Sequence, residues 1–154
     1  MRDPRLTEQR NPRSRHIDRL EALEIVELMN AEDRGVAEAV GKEAPAIARA
    51  VELAADAFRN GGRLIYVGAG TSGRLGVLDA SEMPPTFSTP PELVRGLICG
   101  GPRALTSSVE KLEDDPALGE GDVVEAGVCA KDAVVGLSAS GRTPSQSRIA
   151  MLRE

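Results

Sequence analysis

The sequence predicts an α/β fold in which a parallel sheet is flanked by helices and preceded by an N-terminal helical segment. Short apolar runs bounded by glycine alternate along the chain with stretches of helical periodicity, which is the pattern of βαβ units. Loops rich in glycine and serine follow two of these apolar runs, where parallel strands would end and helices begin. The two observations together predict a sheet buried between helical layers.

Composition restricts the chemistry that is available to the protein. Its 154 residues are 41% hydrophobic and 28% charged, which suits one domain with a buried core. A net charge of −5 and an aromatic content of 2% disfavour a nucleic-acid partner. The single histidine excludes a multi-histidine metal site within one chain. Cys99 and Cys129 lack the spacing of metal ligands or of a disulfide framework, so we expect two small residues in or near the core.

The sequence contains no recognisable membrane span or secretory leader. Its apolar runs fall well short of the ~20 residues of a transmembrane helix, and the N-terminus has no apolar signal core. We therefore expect a cytoplasmic protein without a membrane partner.

The first part of the chain predicts a polar arm followed by helices. Residues 1–15 lack periodicity and are expected to form an extended arm, and residues 16–59 to form the N-terminal helices. Apolar positions between Ile17 and Met29 recur at helical spacing over a stripe wider than one buried face requires, which indicates packing on two surfaces, as at a subunit interface. Further helices are predicted over Glu32–Val40 and over Pro45–Phe58, which ends at Asn60-Gly61-Gly62.

Residues 60–154 carry the α/β pattern. Arg63–Val67 is an apolar run bounded by glycines and predicts a strand that is buried on both faces. A helix is predicted from about Ser72 to Glu82, ending before Pro84-Pro85. The remaining predicted elements are strands at Leu93–Ile98 and Ala133–Leu137 and helices around Leu105–Asp115 and Leu118–Val128.

The first loop, Gly68-Ala-Gly-Thr-Ser-Gly73, has the G-x-G-x-x-G pattern between a predicted strand and a predicted helix. Glycines let the backbone approach a ligand closely, and the N–H groups of a helix N-terminus attract an anion. A dinucleotide site would also place an acidic residue at the end of the second strand. That strand ends in Ile98-Cys-Gly-Gly101, so nicotinamide or flavin binding is the weaker interpretation.

The second loop, Ser138-Ala-Ser-Gly-Arg-Thr143, follows the third predicted strand. Its three hydroxyls, glycine and arginine would form a compact oxyanion site, although such hydroxyls also cap helices. Two loops of this kind at the carboxyl ends of neighbouring parallel strands, where α/β sheets bind ligands, favour a binding function. The ligand inferred from them is a small phosphorylated metabolite.

Several segments of the sequence resemble the motifs of a known family. The S-x-S-G-x-T form of Ser138–Thr143 is similar to the phosphate loop of the sugar isomerase (SIS) domain superfamily. Together with Thr7–Pro12, Gly61–Phe87 and Glu113-Asp-Asp115, it resembles the N-acetylmuramic acid 6-phosphate etherases, a family of cell-wall (peptidoglycan) recycling enzymes. The resemblance covers the chain from about Thr7 to Pro144 and implies an SIS-type, partial three-layer αβα fold.

The resemblance implies a lyase that cleaves the D-lactyl ether of this amino-sugar phosphate by elimination and hydration, without a metal or redox cofactor. The products would be N-acetylglucosamine 6-phosphate and D-lactate. A base removes the C2 proton of the ring-opened sugar while an acid protonates the departing oxygen. The resemblance gives the role of acid to Glu82 and that of base to Glu113. Which of the two glutamates is the acid and which is the base stays open. It assigns phosphate binding to Thr71, Ser72, Ser138, Ser140, Gly141 and Thr143.

Other interpretations of these residues stay open. Without the resemblance, Glu82 and Glu113 are typical of solvated surface carboxylates, and Arg74 and Arg142 either add positive charge to the site or bridge to carboxylates elsewhere. The match fades after Pro144, so the chain corresponds to the N-terminal half of the resembled family. The alternatives to a working etherase are a non-catalytic sugar-phosphate-binding protein and an inactive fragment, or one that completes its site by assembly. The resemblance implies a homodimer.

Overall fold

The computed structural model describes residue 7, residues 9–107, residue 121 and residues 123–141. The chain divides into two compact units, residues 1–51 and 52–154. The first unit contains two 3-10 turns, Pro12–Ser14 and Ile17–Arg19, and helix α1 (Ala22–Lys42). Helix α2 (Ala44–Arg59) spans the boundary. The second unit continues with β1 (Leu64–Gly68), α3 (Gly70–Phe87), β2 (Val94–Ile98), α4 (Arg103–Thr106) and β3 (Ala133–Leu137).

A single helix, α1, covers most of the region in which the sequence predicts two helices. It begins at a capping box in which the backbone N–H of Glu21 donates to the Glu24 carboxylate at 2.8 Å, so Ile17 lies before the helix in a 3-10 turn. The break expected near Met29 is absent because Asn30-Ala31 contains neither proline nor glycine. No residue of α1 is buried. No helix in the described ranges is long and apolar enough to cross a membrane.

The three strands form one parallel sheet in the order β2-β1-β3, with helices flanking it, which confirms the predicted fold class. Each of the three predicted strands is present to within one residue at either end. Ile65 and Val67 of the central strand are fully buried and pack with Val123, which forms the core on one face of the sheet. The apolar central strand is thus buried as its sequence predicts.

Helix α3 lies in close contact with the opposite face of the sheet because glycines line the contact. Its inward positions are Gly73, Gly76 and Ala80. A Cβ atom at Gly76 would lie 2.8 Å from the Cβ of Tyr66. On the strand side, a Cβ atom at Gly96 would lie 2.6 Å from the Cα of Val77. Both distances are too short for real side chains, so this packing tolerates only glycine at these positions.

Two predicted helix ends are wrong. Helix α3 continues through Pro84 and Pro85 to Phe87, and it ends where Ser88 adopts a left-handed φ of 55° and donates to the Pro84 carbonyl at 2.9 Å. Each proline removes one helical donor, but the residues after them supply N–H groups that extend the helix by a turn. The helix predicted around Leu105–Asp115 begins earlier, as α4, and is interrupted at Ser107, which is extended. Residues 108–115 of that prediction lie outside the described residues. Of the predicted helix over Leu118–Val128, residue 121 and residues 123–125 are helical.

An ion pair joins the amino ends of β1 and β3. The Asp132 carboxylate, 1% exposed, accepts from Arg63 Nη2 at 2.6 Å, from the Arg63 backbone N–H at 2.8 Å and from the Cys129 backbone N–H at 3.0 Å. The same guanidinium donates to the Gly127 carbonyl at 2.7 Å. These bonds lower the pKa of Asp132 to about 2, with the Arg63 hydrogen bond as the largest cause. Cys129 itself is exposed, contrary to expectation, whereas Cys99 is buried as expected.

Replacing Asp132 with Asn is expected to lower the free energy of unfolding by about 3 kcal/mol at neutral pH, because it leaves the Arg63 charge without its partner in a largely buried site. The pKa of Asp132 is lower in the folded chain than in the unfolded one. Ionised Asp132 therefore stabilises the fold by about 2 kcal/mol above its unfolded pKa of about 4, and this is lost as the pH falls towards about 2. Urea unfolding at neutral and acidic pH measures both effects.

The matched control is Asp56→Asn, which removes an exposed carboxylate paired with Arg59 at 2.6 Å. Exposed pairs contribute less than about 1 kcal/mol. Equal losses of stability in the two variants would contradict the structural role of Asp132.

Candidate functional site

The parallel register brings the two predicted phosphate loops together. Gly68, the last residue of β1, lies opposite Leu137, the last residue of β3. The loops that follow begin at Ala69 and Ser138, on adjacent strands about 5 Å apart. They therefore share the carboxyl edge of the sheet, the edge at which α/β proteins bind ligands.

The first loop directs the amino end of α3 towards this edge. Ala69 is extended and serves as the N-cap, and Gly70 has a φ of 53°, a left-handed conformation that glycine adopts at no steric cost. Thr71 and Ser72 lie in the first helical turn, beside N–H groups that have no helical acceptor. Thr71 is exposed and Ser72 is half-buried. Gly73 has a different role: a Cβ atom there would lie 2.6 Å from the Gly68 carbonyl oxygen.

The second loop is organised by its own first serine. The Ser138 hydroxyl accepts from the Gly141 backbone N–H at 3.1 Å and lies 3.5 Å from the Ser140 hydroxyl. Gly141 has a φ of 65°, which turns the chain at this point. Ser138 is half-buried, whereas Ser140 is exposed at the edge. Thr143 and Arg142, the other predicted residues of this loop, lie outside the described residues.

Among the described residues, Arg74 donates to backbone carbonyls and forms no bridge to a carboxylate. Its Nε donates to the carbonyls of Ala104 at 3.0 Å and Leu105 at 3.2 Å, and its Nη2 donates to the carbonyl of Ser107 at 3.2 Å. The guanidinium thus donates hydrogen bonds to carbonyl groups at the carboxyl end of α4, where the helix dipole is negative. Arg74 ties α3 to the segment that precedes Glu113.

Of the two predicted catalytic glutamates, Glu82 lies within the described residues. Glu82 is exposed on α3, twelve residues after Gly70, so it lies about 18 Å along the helix axis from the first loop. Glu113 lies outside the described residues. Within one chain, Glu82 and the two loops are therefore at different ends of α3.

The interaction of Tyr66 with Asp79 was not predicted from the sequence. Tyr66 lies in the middle of β1, and Asp79 lies on α3 one turn before Glu82. Burial of the phenol, followed by hydrogen bonding to Asp79 and the negative charge of Asp79, raises the pKa of Tyr66 to about 12. No local motif marks this pair, because it depends on how the helix crosses the strand.

A metal site and a dinucleotide site find little support in the part of the chain that the structure describes. No group of three His, Cys, Asp or Glu side chains there is placed to hold a metal ion. After β2 the backbone turns through Gly100 and Gly101, with φ values of 92° and 65°. The acidic residue that a dinucleotide site would place there is not present in the sequence.

Comparisons with known proteins agree on one family. A sequence profile described as the glucokinase regulatory protein N-terminal SIS domain matches residues 46–152. The chain is 60% identical over 139 residues to the N-acetylmuramic acid 6-phosphate etherase of Serratia proteamaculans, a match that covers 90% of this chain and 47% of that protein.

Two further relatives carry the same name. The chain is 58% identical over 139 residues to the protein of Pectobacterium atrosepticum and 57% identical over 138 residues to that of Rhodopirellula baltica, and each match covers 90% of this chain and 46% of the relative. The chain therefore spans about half the length of the curated relatives it matches.

Titration of Tyr66, the one tyrosine in the chain, is expected to show a midpoint at about pH 12. Asp79→Asn is expected to move the midpoint down towards the ordinary value of about 10, because it removes the neighbouring negative charge. Because the pKa is higher in the folded chain, this group stabilises the fold below about pH 10 and the contribution is lost as the pH rises to about 12. Ultraviolet absorbance of the phenolate measures the midpoint. Asp56→Asn is the control, and an unchanged midpoint in Asp79→Asn would rule out the contact.

Proposed function

The chain belongs to the family of the glucokinase regulatory protein N-terminal SIS domain, and we propose that it is a sugar-phosphate lyase. The proposed reaction cleaves the D-lactyl ether of N-acetylmuramic acid 6-phosphate to give N-acetylglucosamine 6-phosphate and D-lactate. The relatives at 57–60% identity are N-acetylmuramic acid 6-phosphate etherases, which supports this reaction. A role in peptidoglycan recycling in the cytoplasm follows from that substrate.

The adjacency of the two loops carries the proposal. Thr71 and Ser72 in the first turn of α3 offer hydroxyl and backbone N–H donors, and Ser140 in the second loop offers a hydroxyl at the same edge of the sheet, where Gly141 turns the chain. Such donors bind the oxygens of a phosphate, and the positive end of the α3 dipole favours its charge. Ser138 contributes mainly by holding Gly141 in place. We assign Thr143 to the same phosphate site.

We assign the chemical steps to Glu82 and Glu113. Opening of the sugar ring places an aldehyde at C1 and acidifies the C2 proton, which Glu113 removes. Glu82 protonates the ether oxygen as D-lactate leaves, and the resulting carboxylate then takes a proton from the water that adds at C3. Glu113 returns its proton to C2, which completes the hydration. These steps need one acid and one base, and no metal or redox cofactor enters them.

We further propose that residues 60–154 form the sugar-phosphate-binding part and that the chain acts as a homodimer. The N-terminal part would then comprise an arm at residues 1–15 and helices at residues 16–59. Support comes from α1, where large apolar side chains remain exposed: Leu23 at 68%, Val26 at 56%, Met29 at 57%, Val36 at 59% and Val40 at 54%. Apolar surface of this extent is typical of an interaction surface.

A non-catalytic sugar-phosphate-binding protein is the second candidate function. The distance between Glu82 and the loops within one chain favours it, because an acid that far from the phosphate cannot reach the ether of the same substrate. The similarity to etherases from two bacteria favours the lyase. An assay of product release decides between them.

Glu82→Gln is expected to lower the rate of D-lactate release at least ~100-fold while leaving sugar-phosphate binding intact, because it removes a proton donor and keeps the shape of the side chain. Lactate release is followed by an enzyme-coupled assay, and binding by calorimetry. The control is Glu92→Gln, which changes an exposed glutamate away from both loops. Full activity of Glu82→Gln would remove Glu82 from the mechanism.

Ser140→Ala is expected to raise KM ~10-fold or more with a smaller change in kcat, because a hydroxyl bound to the phosphate contributes to substrate and transition-state binding alike. Steady-state kinetics separate the two constants. Ser81→Ala is the matched control, since its exposed hydroxyl donates to the Leu78 carbonyl at 2.7 Å within α3. A fall in kcat with KM unchanged would contradict phosphate binding by Ser140.

A further inference from the structure

Three backbone carbonyl groups at the end of α4 accept hydrogen bonds from one side chain of α3. Arg74 donates from Nε to the carbonyls of Ala104 at 3.0 Å and Leu105 at 3.2 Å, and from Nη2 to the carbonyl of Ser107 at 3.2 Å. The last carbonyl groups of a helix have no helical donor, and a planar guanidinium presents several N–H groups at once. Arg74 therefore determines where the chain leaves α4 relative to α3.

The backbone of Arg74 is itself held at the carboxyl edge of the sheet. Gly73, the residue before it, is buried, and a Cβ atom there would lie 2.6 Å from the Gly68 carbonyl oxygen. This close contact keeps the amino end of α3 against the end of β1. Arg74 lies two residues after Ser72, to which we assign phosphate binding. Its half-buried side chain thus starts beside the proposed phosphate site.

The hydrogen bonds of Arg74 distinguish it from a phosphate ligand. An arginine that binds a phosphate commonly turns two parallel N–H groups towards the anion, and Nε with Nη2 is one such pair. In Arg74 this pair is directed at the carbonyl oxygens of α4 and Ser107. These contacts favour a role in positioning the backbone over one in holding the phosphate.

The chain that leaves α4 at Ser107 leads to the proposed base. Glu113 follows six residues later, and six residues span at most about 21 Å. C2 of the sugar is six single bonds from the phosphorus, which places it within about 8 Å of a phosphate bound at the loops. A base on a chain of this length needs a suitable starting point, since a displacement of about 1 Å can lower the rate about 100-fold. The hydrogen bonds of Arg74 set that starting point.

We propose that Arg74 is a positioning residue for the reaction: its hydrogen bonds to the end of α4 hold the start of the segment that leads to Glu113 beside the phosphate loops. This inference rests on the proposed function. Arg74 acts through the backbone of residues 104–107 and touches neither the phosphate nor C2. Removing its guanidinium therefore displaces the base and leaves the phosphate site intact.

Arg74→Lys tests the proposal, because it keeps the positive charge but cannot reach the three carbonyls with one ammonium group. We expect kcat for D-lactate release to fall ~10-fold or more, while KM and the Kd for N-acetylglucosamine 6-phosphate stay within about twofold. The control is Arg103→Lys, which changes an exposed arginine of α4 itself. A rise in KM with kcat unchanged in Arg74→Lys would overturn the proposal, since it would mark Arg74 as a phosphate ligand.

Hydrogen exchange at C2 of the product isolates the step assigned to Glu113. In D2O the base takes the C2 proton of ring-opened N-acetylglucosamine 6-phosphate, exchanges it with solvent and returns a deuteron, and no leaving-group acid takes part. We expect exchange to persist in Glu82→Gln and to fall ~10-fold or more in Arg74→Lys, measured by NMR at saturating product. Exchange at the wild-type rate in folded Arg74→Lys would contradict the positioning role.

The outcomes separate this inference from the proposed function. Urea unfolding checks that each variant is folded, and Arg74→Gln, which keeps one amide donor, replaces Arg74→Lys if the latter is not. Exchange without lactate release in the wild-type chain would overturn the etherase reaction, while the exchange rates of the variants still test Arg74. Absence of both from the folded wild-type chain would overturn the proposed function, and the role of Arg74 falls with it.

Discussion

The close contact between α3 and the sheet is the constraint on which the rest of the second unit depends. Gly73 lies against the end of β1, Gly76 against Tyr66, and Gly96 of β2 against the backbone of Val77. A methyl group at any of these positions would have to displace neighbouring atoms in a close-packed interior. The glycines thus fix both the position and the direction of α3.

Two consequences follow from the direction of α3. Its amino end lies at the carboxyl edge of the sheet, next to the start of the second loop. Its outward face, with Leu75, Leu78 and Glu82, is turned away from the same sheet. One helix therefore places the proposed phosphate-binding residues Thr71 and Ser72 near one end and the proposed acid, Glu82, near the other.

The buried ion pair and the loops proposed to bind phosphate lie at opposite edges of the sheet. At the amino edge, Arg63 and Asp132 join β1 to β3 through a buried ion pair with its hydrogen bonds satisfied. Breaking such a pair leaves an unpaired charge, which is why it holds the strand ends firmly. At the carboxyl edge, the loops use glycines and hydroxyls in place of strong ion pairs.

The sequence by itself determined the order of strands and helices, the parallel sheet and the position of both loops, because short apolar runs and glycine-bounded turns are local signals. It did not determine how α3 continues through Pro84 and Pro85, since the N–H groups that extend the helix come from residues beyond the expected stop. The bonds between Arg63 and Asp132, 69 positions apart, and between Tyr66 and Asp79 were decided only by the tertiary structure. The same holds for the direction of Glu82, because the face that a helix residue presents depends on where the sheet lies. A single sequence carries no local pattern that specifies such pairings.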